Sequence, residues 1–361
     1  MSAGRGRFYE DFVPGQRLRH AAPRTLTVGD AALYTALSGD RRPLHASRPF
    51  AQALGRPRES LHDLLVFHAV FGKSVADISL NAVANLGYAD GRFLRPVYEG
   101  ETLSAESEVL GTREVASGRA GIVWVRTRGL DDEGRTVLSY CRWVMVEKRE
   151  PERPCGGMGA PILRTRVPVG ELVVPEPLTL ARLEEVAWAL GERVRFADDL
   201  APGERIDHPG ATTIEEAEHQ LATRLYQNDA RVHFDAVRMA ATRFGRRLVF
   251  GGHVMSVAWA LAHDGLEGAL AILAINGGAH LGPTFGGDTL VAGTEVLEVA
   301  ALPGRDDLAA VRLRLLAAKQ AHAPFPWPTQ GGAAGDCGAE HDTRLVLDLE
   351  LWVLMPSRRL P

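Results

Sequence analysis

The hydrophobic pattern of the chain changes period along its length, and the changes mark out its elements. Residues 64–75 and 253–263 are apolar at helical spacing, each long enough for about three turns of buried helix. Strand-like runs follow the first of these, at Thr102 to Leu110, Ile122 to Thr127 and Val137 to Val146. Near the C-terminus, residues 347–354 open with apolar/polar alternation and read as a strand with at least one buried face. Ahead of the first long helix, a short strand is expected near Gln16 to His20 and a helix over Asp30 to Leu37. One long helix followed by antiparallel strands predicts the α+β class, with the sheet wrapped around the helix.

This pattern is written twice. Glu10 to His20 matches Asp198 to His208 at an offset of 188, and at the same offset Asp40 meets Asn228 and His45 meets His233. Pro96 to Leu103 meets Pro283 to Leu290 at an offset of 187, as does Glu108-Val109 with Glu295-Val296. A register held over that length with one slip is a duplication. The chain therefore divides into a first copy, 1–150, a linker, 151–197, and a second copy, 198–361. Pro151, Pro154, Gly156, Gly157 and Gly159 break both periodicities early in the linker. Its later part, Leu178 to Arg193, is apolar at helical spacing and is expected to cover a face of the second copy. In the second copy Thr213-Ile214-Glu215-Glu216 reads as a capping box. A Gly-, Pro- and Ala-rich insertion near 322–342 is expected to be a surface loop.

Composition narrows the partners. With 45% hydrophobic and 24% charged residues the chain is globular, and a net charge of −4 gives nucleic acid no basic field to meet. No run reaches the roughly 18 apolar residues of a membrane span. No apolar stretch follows the basic start, so no signal peptide is read. Cys141, Cys155 and Cys337 are odd in number and scattered, which suits a reducing cytoplasm.

The candidate chemistry lies in Ser38-Gly39-Asp40-Arg41-Arg42-Pro43-Leu44-His45. Pro43 fixes its own backbone and pushes Arg42 toward an extended conformation, so Asp40 and His45 are expected at either end of a stiff loop. A carboxylate and an imidazole sharing one water is what proton transfer requires. The plainer alternative is a capping Asp with an incidental His.

These residues identify a resemblance. Ser38 to His45 follows the Ser/Thr-Gly-Asp-x-Asn-Pro-x-His motif of MaoC-like hydratases, except that Arg42 replaces Asn. Each copy resembles a hot-dog domain and the whole chain a tandem (double) hot-dog hydratase. Asp63 to His68, Asp77 to Tyr88 and Arg224 to Asn228 are similar to the mesaconyl-CoA hydratase (β-methylmalyl-CoA dehydratase) type. The resemblance implies reversible hydration of an acyl-CoA thioester, a branched, carboxylated enoyl-CoA, with no metal or organic cofactor. Asp40 and His45 would activate the water, and a helix N-terminus would stabilise the enolate-like oxygen. That N-terminus lies near His62, Asp63 and Leu64 in the first copy and at Gly251-Gly252 in the second. Arg42, Arg92 and Arg231 are candidates for pairing with a substrate carboxylate, and Asn85 for a further substrate contact. Chemistry favours the first copy, because Asn228 can orient a water beside His233 but cannot take its proton. The family pattern argues the other way, since its double hot-dogs often work through the C-terminal half. An (R)-specific enoyl-CoA hydratase of broader range, a thioesterase and a catalytically quiet acyl-CoA-binding subunit are the competing functions. Two copies can pair within one chain, and a homodimer of such pairs is expected.

Overall fold

The computed structural model describes residues 6–191, 194–322, 324–328 and 342–358. The first copy runs β1 (Arg17–Arg19), β2 (Arg24–Thr25), α1 (Val28–Ser38), α2 (Pro43–Ala46), α3 (Arg48–Ala53), α4 (Asp63–Ser74), β3 (Ala82–Phe93), β4 (Thr102–Glu114), β5 (Ala120–Leu130) and β6 (Thr136–Glu147). After α5 (Leu183–Val186), the second runs β7 (Arg205–Thr213), α6 (Glu216–Leu225), α7 (Ala236–Ala240), α8 (Gly251–Leu261), β8 (Ala271–His280), β9 (Thr289–Leu302), β10 (Arg305–Lys319) and β11 (Leu345–Pro356). This is the tandem arrangement anticipated above.

The long helices α4 and α8 are buried because their side chains are apolar nearly all round, which suits a helix enclosed by a sheet. Both belong to one hydrophobic core shared by the two copies. The antiparallel sheet is continuous, in the order β1-β4-β5-β6-β3-β8-β11-β10-β9-β7, with β2 paired to β4. The halves join where β3 pairs with β8, Tyr88 opposite Gly278 and Gly91 opposite Ile275. Across the core, His68 Nε2 and Ser256 Oγ lie 2.9 Å apart, tying α4 to α8.

Local sequence explains the loop-bearing helices. Thr27 Oγ1 accepts from the Asp30 N–H and Asp30 accepts in return, so α1 starts in a capping box; Gly39 ends it at φ 77°. In α6 the cap is Glu215, whose N–H donates to Glu218. The expected box at Thr213 does not form, because Thr213 ends β7 and its hydroxyl meets that of Thr289.

Two other expectations are corrected. The stretch expected as a helix over Leu178 to Arg193 is not one helix across its described residues, 178–191, which hold only the four-residue α5 and a 3-10 turn at Ala187–Leu190. The segment still covers the sheet, with Leu178, Leu183 and Leu190 packed against Leu44 and Phe50 of the first copy and Trp352 and Leu354 of the second. Its buried contacts cross both copies, so residues 151–197 do more than link them. Of the 322–342 insertion, 323 and 329–341 lie outside the described residues. Its start is anchored on β7, where Asp207 accepts from the Phe325 N–H and the Trp327 indole.

Candidate active site

The duplication brings two loop-and-helix constellations against one core, and they differ in what fills them. In the first copy Asp40 is 1% exposed and receives the Arg42 guanidinium at 3.0 Å. Burial alone would raise its pKa, but Arg42, His62 and His45 hold it at about 2. Arg42 also donates to the Trp259 carbonyl at 3.0 Å and lies 3.7 Å from the centre of that indole ring. His45 is on the helical turn of α2, not on a loop, because Pro43 takes the first helical position. Its Nδ1 faces the Ser60 carbonyl at 3.1 Å, and its ring lies 4.9 Å from that of His62. Asp63 completes the cluster: its carboxylate accepts from the Ile272 N–H and stands 3.8 Å from His45 Nε2. Burial raises its pKa to about 6, against the Ile272 hydrogen bond and Arg56.

Around the second copy's loop the corresponding residues are smaller. Ala230 stands where Arg42 does, Gly251 where Asp63 does, and Phe71 where Trp259 does, each pair 188 residues apart. A cavity of about 310 Å³ opens there, between the two copies. The second copy contributes Asn228, His233, Phe250, Gly251 and His280, and the first contributes Phe71, Ser79, Asn85, Tyr88 and Arg142. Asp40 and His45 do not line it.

His233 Nδ1 lies 2.9 Å from the Leu248 carbonyl, which can only accept, so Nδ1 carries the proton and Nε2 is left as a base. Burial lowers its pKa to about 4, which keeps it neutral near pH 7. Asn228 Oδ1 accepts from the Ala230 N–H at 3.0 Å, leaving its NH₂ as donor. The loop is held by α4: a Cβ on Gly72 would fall 1.7 Å from the Tyr226 carbonyl oxygen and 3.2 Å from the Asn228 nitrogen.

At the start of α8, the Gly251 and Gly252 N–H groups have no intrahelical acceptor, and the helix dipole favours negative charge there. A Cβ on Gly251 would lie 2.5 Å from the His280 ring, so only glycine leaves this helix end open. Among the described residues lining the cavity there is no Asp or Glu, whereas Arg142 and Arg243 both do so. No cluster of three or more His, Cys, Asp or Glu residues that could hold a metal ion occurs among the described residues.

The structure thus brings Asn85, Asn228, His233 and Gly251 together at one cavity. Gly252 stands behind them, where a Cβ would meet Phe250 and His68. Asp40, His45, His62 and Asp63 form a separate, filled cluster. Leu64 is core. The carboxylate roles expected of three arginines are not supported by their placement. Arg42 is committed to Asp40 and Trp259, and Arg92 donates to Asp90 and Glu171 at 2.9 and 2.8 Å. Arg231, on the 3-10 turn Arg231–His233, does not line the cavity. Tyr88, Arg142 and His280 were not anticipated from sequence. The one signal for them was an Arg inside the otherwise apolar run at 137–146.

Comparisons with known proteins agree with this architecture. A family model described as mesaconyl-CoA hydratase matches residues 2–331. The chain is 49% identical over 354 residues to the β-methylmalyl-CoA dehydratase of Chloroflexus aurantiacus, covering 98% of each. It is 47% identical over 358 residues to the mesaconyl-CoA hydratase of Cereibacter sphaeroides, covering 99% of this chain and 100% of that one. A solved MaoC domain protein dehydratase from Chloroflexus aurantiacus superimposes with a TM-score of 0.93 at 48% identity, over 99% of both chains. A Mycobacterium tuberculosis protein described as a double hotdog fold gives 0.74 at 27% identity, covering 98% of this chain and 99% of that one.

Proposed function

The chain belongs to the mesaconyl-CoA hydratase family, and from that premise we propose that it interconverts mesaconyl-CoA and β-methylmalyl-CoA at the cavity between its two copies, with His233 as the base. The observation that carries this reading is the pairing, in one cavity, of a neutral imidazole with an open helix N-terminus. The matching place in the first copy is filled by Arg42 and by the Asp63 carboxylate, which would oppose negative charge on a thioester oxygen.

In the hydration direction, His233 Nε2 takes a proton from a water oriented by the Asn228 NH₂, and the oxygen attacks the β-carbon. Electron density moves onto the thioester oxygen, where the Gly251 N–H at the start of α8 stabilises it. Nε2–H then returns the proton to the α-carbon. Asn228 cannot relay a proton, so one imidazole serves both ends of the double bond. Water therefore adds to one face, the syn course.

The test is a spectrophotometric assay with mesaconyl-CoA. Loss of the enoyl-thioester absorbance, with one deuteron delivered syn in D₂O, is the expected result. Persistent absorbance, or release of free CoA, would overturn the reading.

A further inference from the structure

Arg142 is an anomaly in the cavity wall. It is 0% exposed, and its hydrogen-bond partners are hydroxyls: Ser74 Oγ at 2.9 Å and Ser79 Oγ at 3.4 Å. Its guanidinium carbon lies 4.3 Å from the centre of the Phe71 ring, and Nε has no partner. A buried guanidinium normally faces a carboxylate, because desolvating an uncompensated charge is costly. Arg42, equally buried, does meet a carboxylate, Asp40 at 3.0 Å, whereas buried Arg56 donates to the Ser60 hydroxyl. Here the cavity supplies no acid at all.

The duplication sharpens the point. Arg142 sits opposite Tyr88 in the β3–β6 pairing, and the residues in that register in the second copy are Leu351 opposite Ile275. The sheet position thus accepts an apolar side chain, and only the copy whose wall faces the open cavity carries the charge. A chain of contacts links Arg142 to the reacting end. Tyr88 is its strand neighbour, the Tyr88 hydroxyl lies 3.1 Å from His280 Nε2, and the His280 ring closes on Gly251.

We infer that Arg142 is the specificity determinant of this enzyme, its missing counter-ion being the free carboxylate that the substrate carries on its β-carbon. The inference rests on the reading above. The carboxylate neutralises the guanidinium only when a dicarboxylic acyl group is bound, and it sets the β-carbon at the water. An acyl chain ending in methyl leaves the charge unpaired.

The test uses two unreactive saturated analogues, methylsuccinyl-CoA and 2-methylbutanoyl-CoA, which differ by carboxylate against methyl, as competitive inhibitors or by calorimetry. The full-length wild type is expected to bind the first about 100-fold more tightly, and Arg142→Leu to bind the two alike through loss of methylsuccinyl-CoA affinity alone. If Arg142→Leu fails to fold, Arg142→Lys serves. It keeps the charge without the planar fork and should keep part of the preference, about tenfold. Equal binding of both analogues by the wild type overturns the inference, as does an equal loss for both in the variant. A wild type that discriminates through Arg142 yet leaves mesaconyl-CoA unhydrated would instead overturn the proposed reaction and leave this inference standing.

Discussion

At the scale of single residues, two features separate the copies: space at the helix start and the acid beside the imidazole, since Asp63 stands 3.8 Å from His45 while no Asp or Glu lines the described cavity at His233. His233 is neutral because its burial disfavours the cation, and nothing acidic in the cavity offsets this. Its ordinary titration near pH 6.5 therefore moves to about 4. The acidic limb of kcat/KM should follow, staying flat from pH 8 to about pH 5 and falling only near 4. A limb centred near 6.5 would show that another imidazole, or a solvated one, is the base. Gly251 makes the second residue-scale prediction. Gly251→Ala would press a methyl onto His280 and crowd the oxyanion site, so kcat should fall about 100-fold, a loss typical of a disabled oxyanion donor, with a much smaller change in KM. Steady-state kinetics of the purified variant checks this.

At the scale of elements, the site depends on contacts between copies. The Asn228 loop is shaped by α4 of the other half, and the decisive contact is an absence, the missing Cβ of Gly72. Gly72→Ala should push the Tyr226–Asn228 segment away and reduce kcat/KM at least tenfold. A serine at the same place should do no better, because the obstacle is backbone. Wild-type activity in Gly72→Ala would show that the loop is placed by its own half. The elements were largely legible in sequence. Helical spacing at 64–75 and 253–263, strand runs and the repeat led to the tandem sheet-on-helix fold. The capping box was misplaced by two residues because Thr213 pairs in a strand, a tertiary choice that a local motif does not reveal. The proposed site was legible only in part. Asn228, His233 and Gly251 stood out, but chemistry alone favoured Asp40, since a sequence does not show that Arg42 and Asp63 fill the space beside it. The signal was present in the repeat, which sets Ala230 against Arg42 and Gly251 against Asp63. Arg142 lay in a strand whose partner across the sheet only the register supplies.

At the scale of the whole molecule, burial of titratable groups ties stability to pH. Burial lowers the pKa of His45, His62, His233, His263 and His280 to about 4 and of His68 to about 3. Each contributes stability that is present above the unfolded value of 6.5 and lost as pH falls through the folded value, because the unfolded chain binds the proton first. Asp63, raised to about 6, runs the other way, gaining as pH falls, but it is one group against six. Tm should therefore drop steeply between pH 6.5 and 4, and a Tm that is level across that interval would contradict the burial. The proposed reaction uses one of two quasi-equivalent sites, the one built from the imidazole of one copy and the wall of the other. The most direct measurement is kcat/KM for mesaconyl-CoA in His233→Ala and His45→Ala, assayed side by side on folded protein. His233→Ala should lose about 1,000-fold or more and His45→Ala should stay within about threefold of wild type; the opposite order would place the chemistry in the first copy.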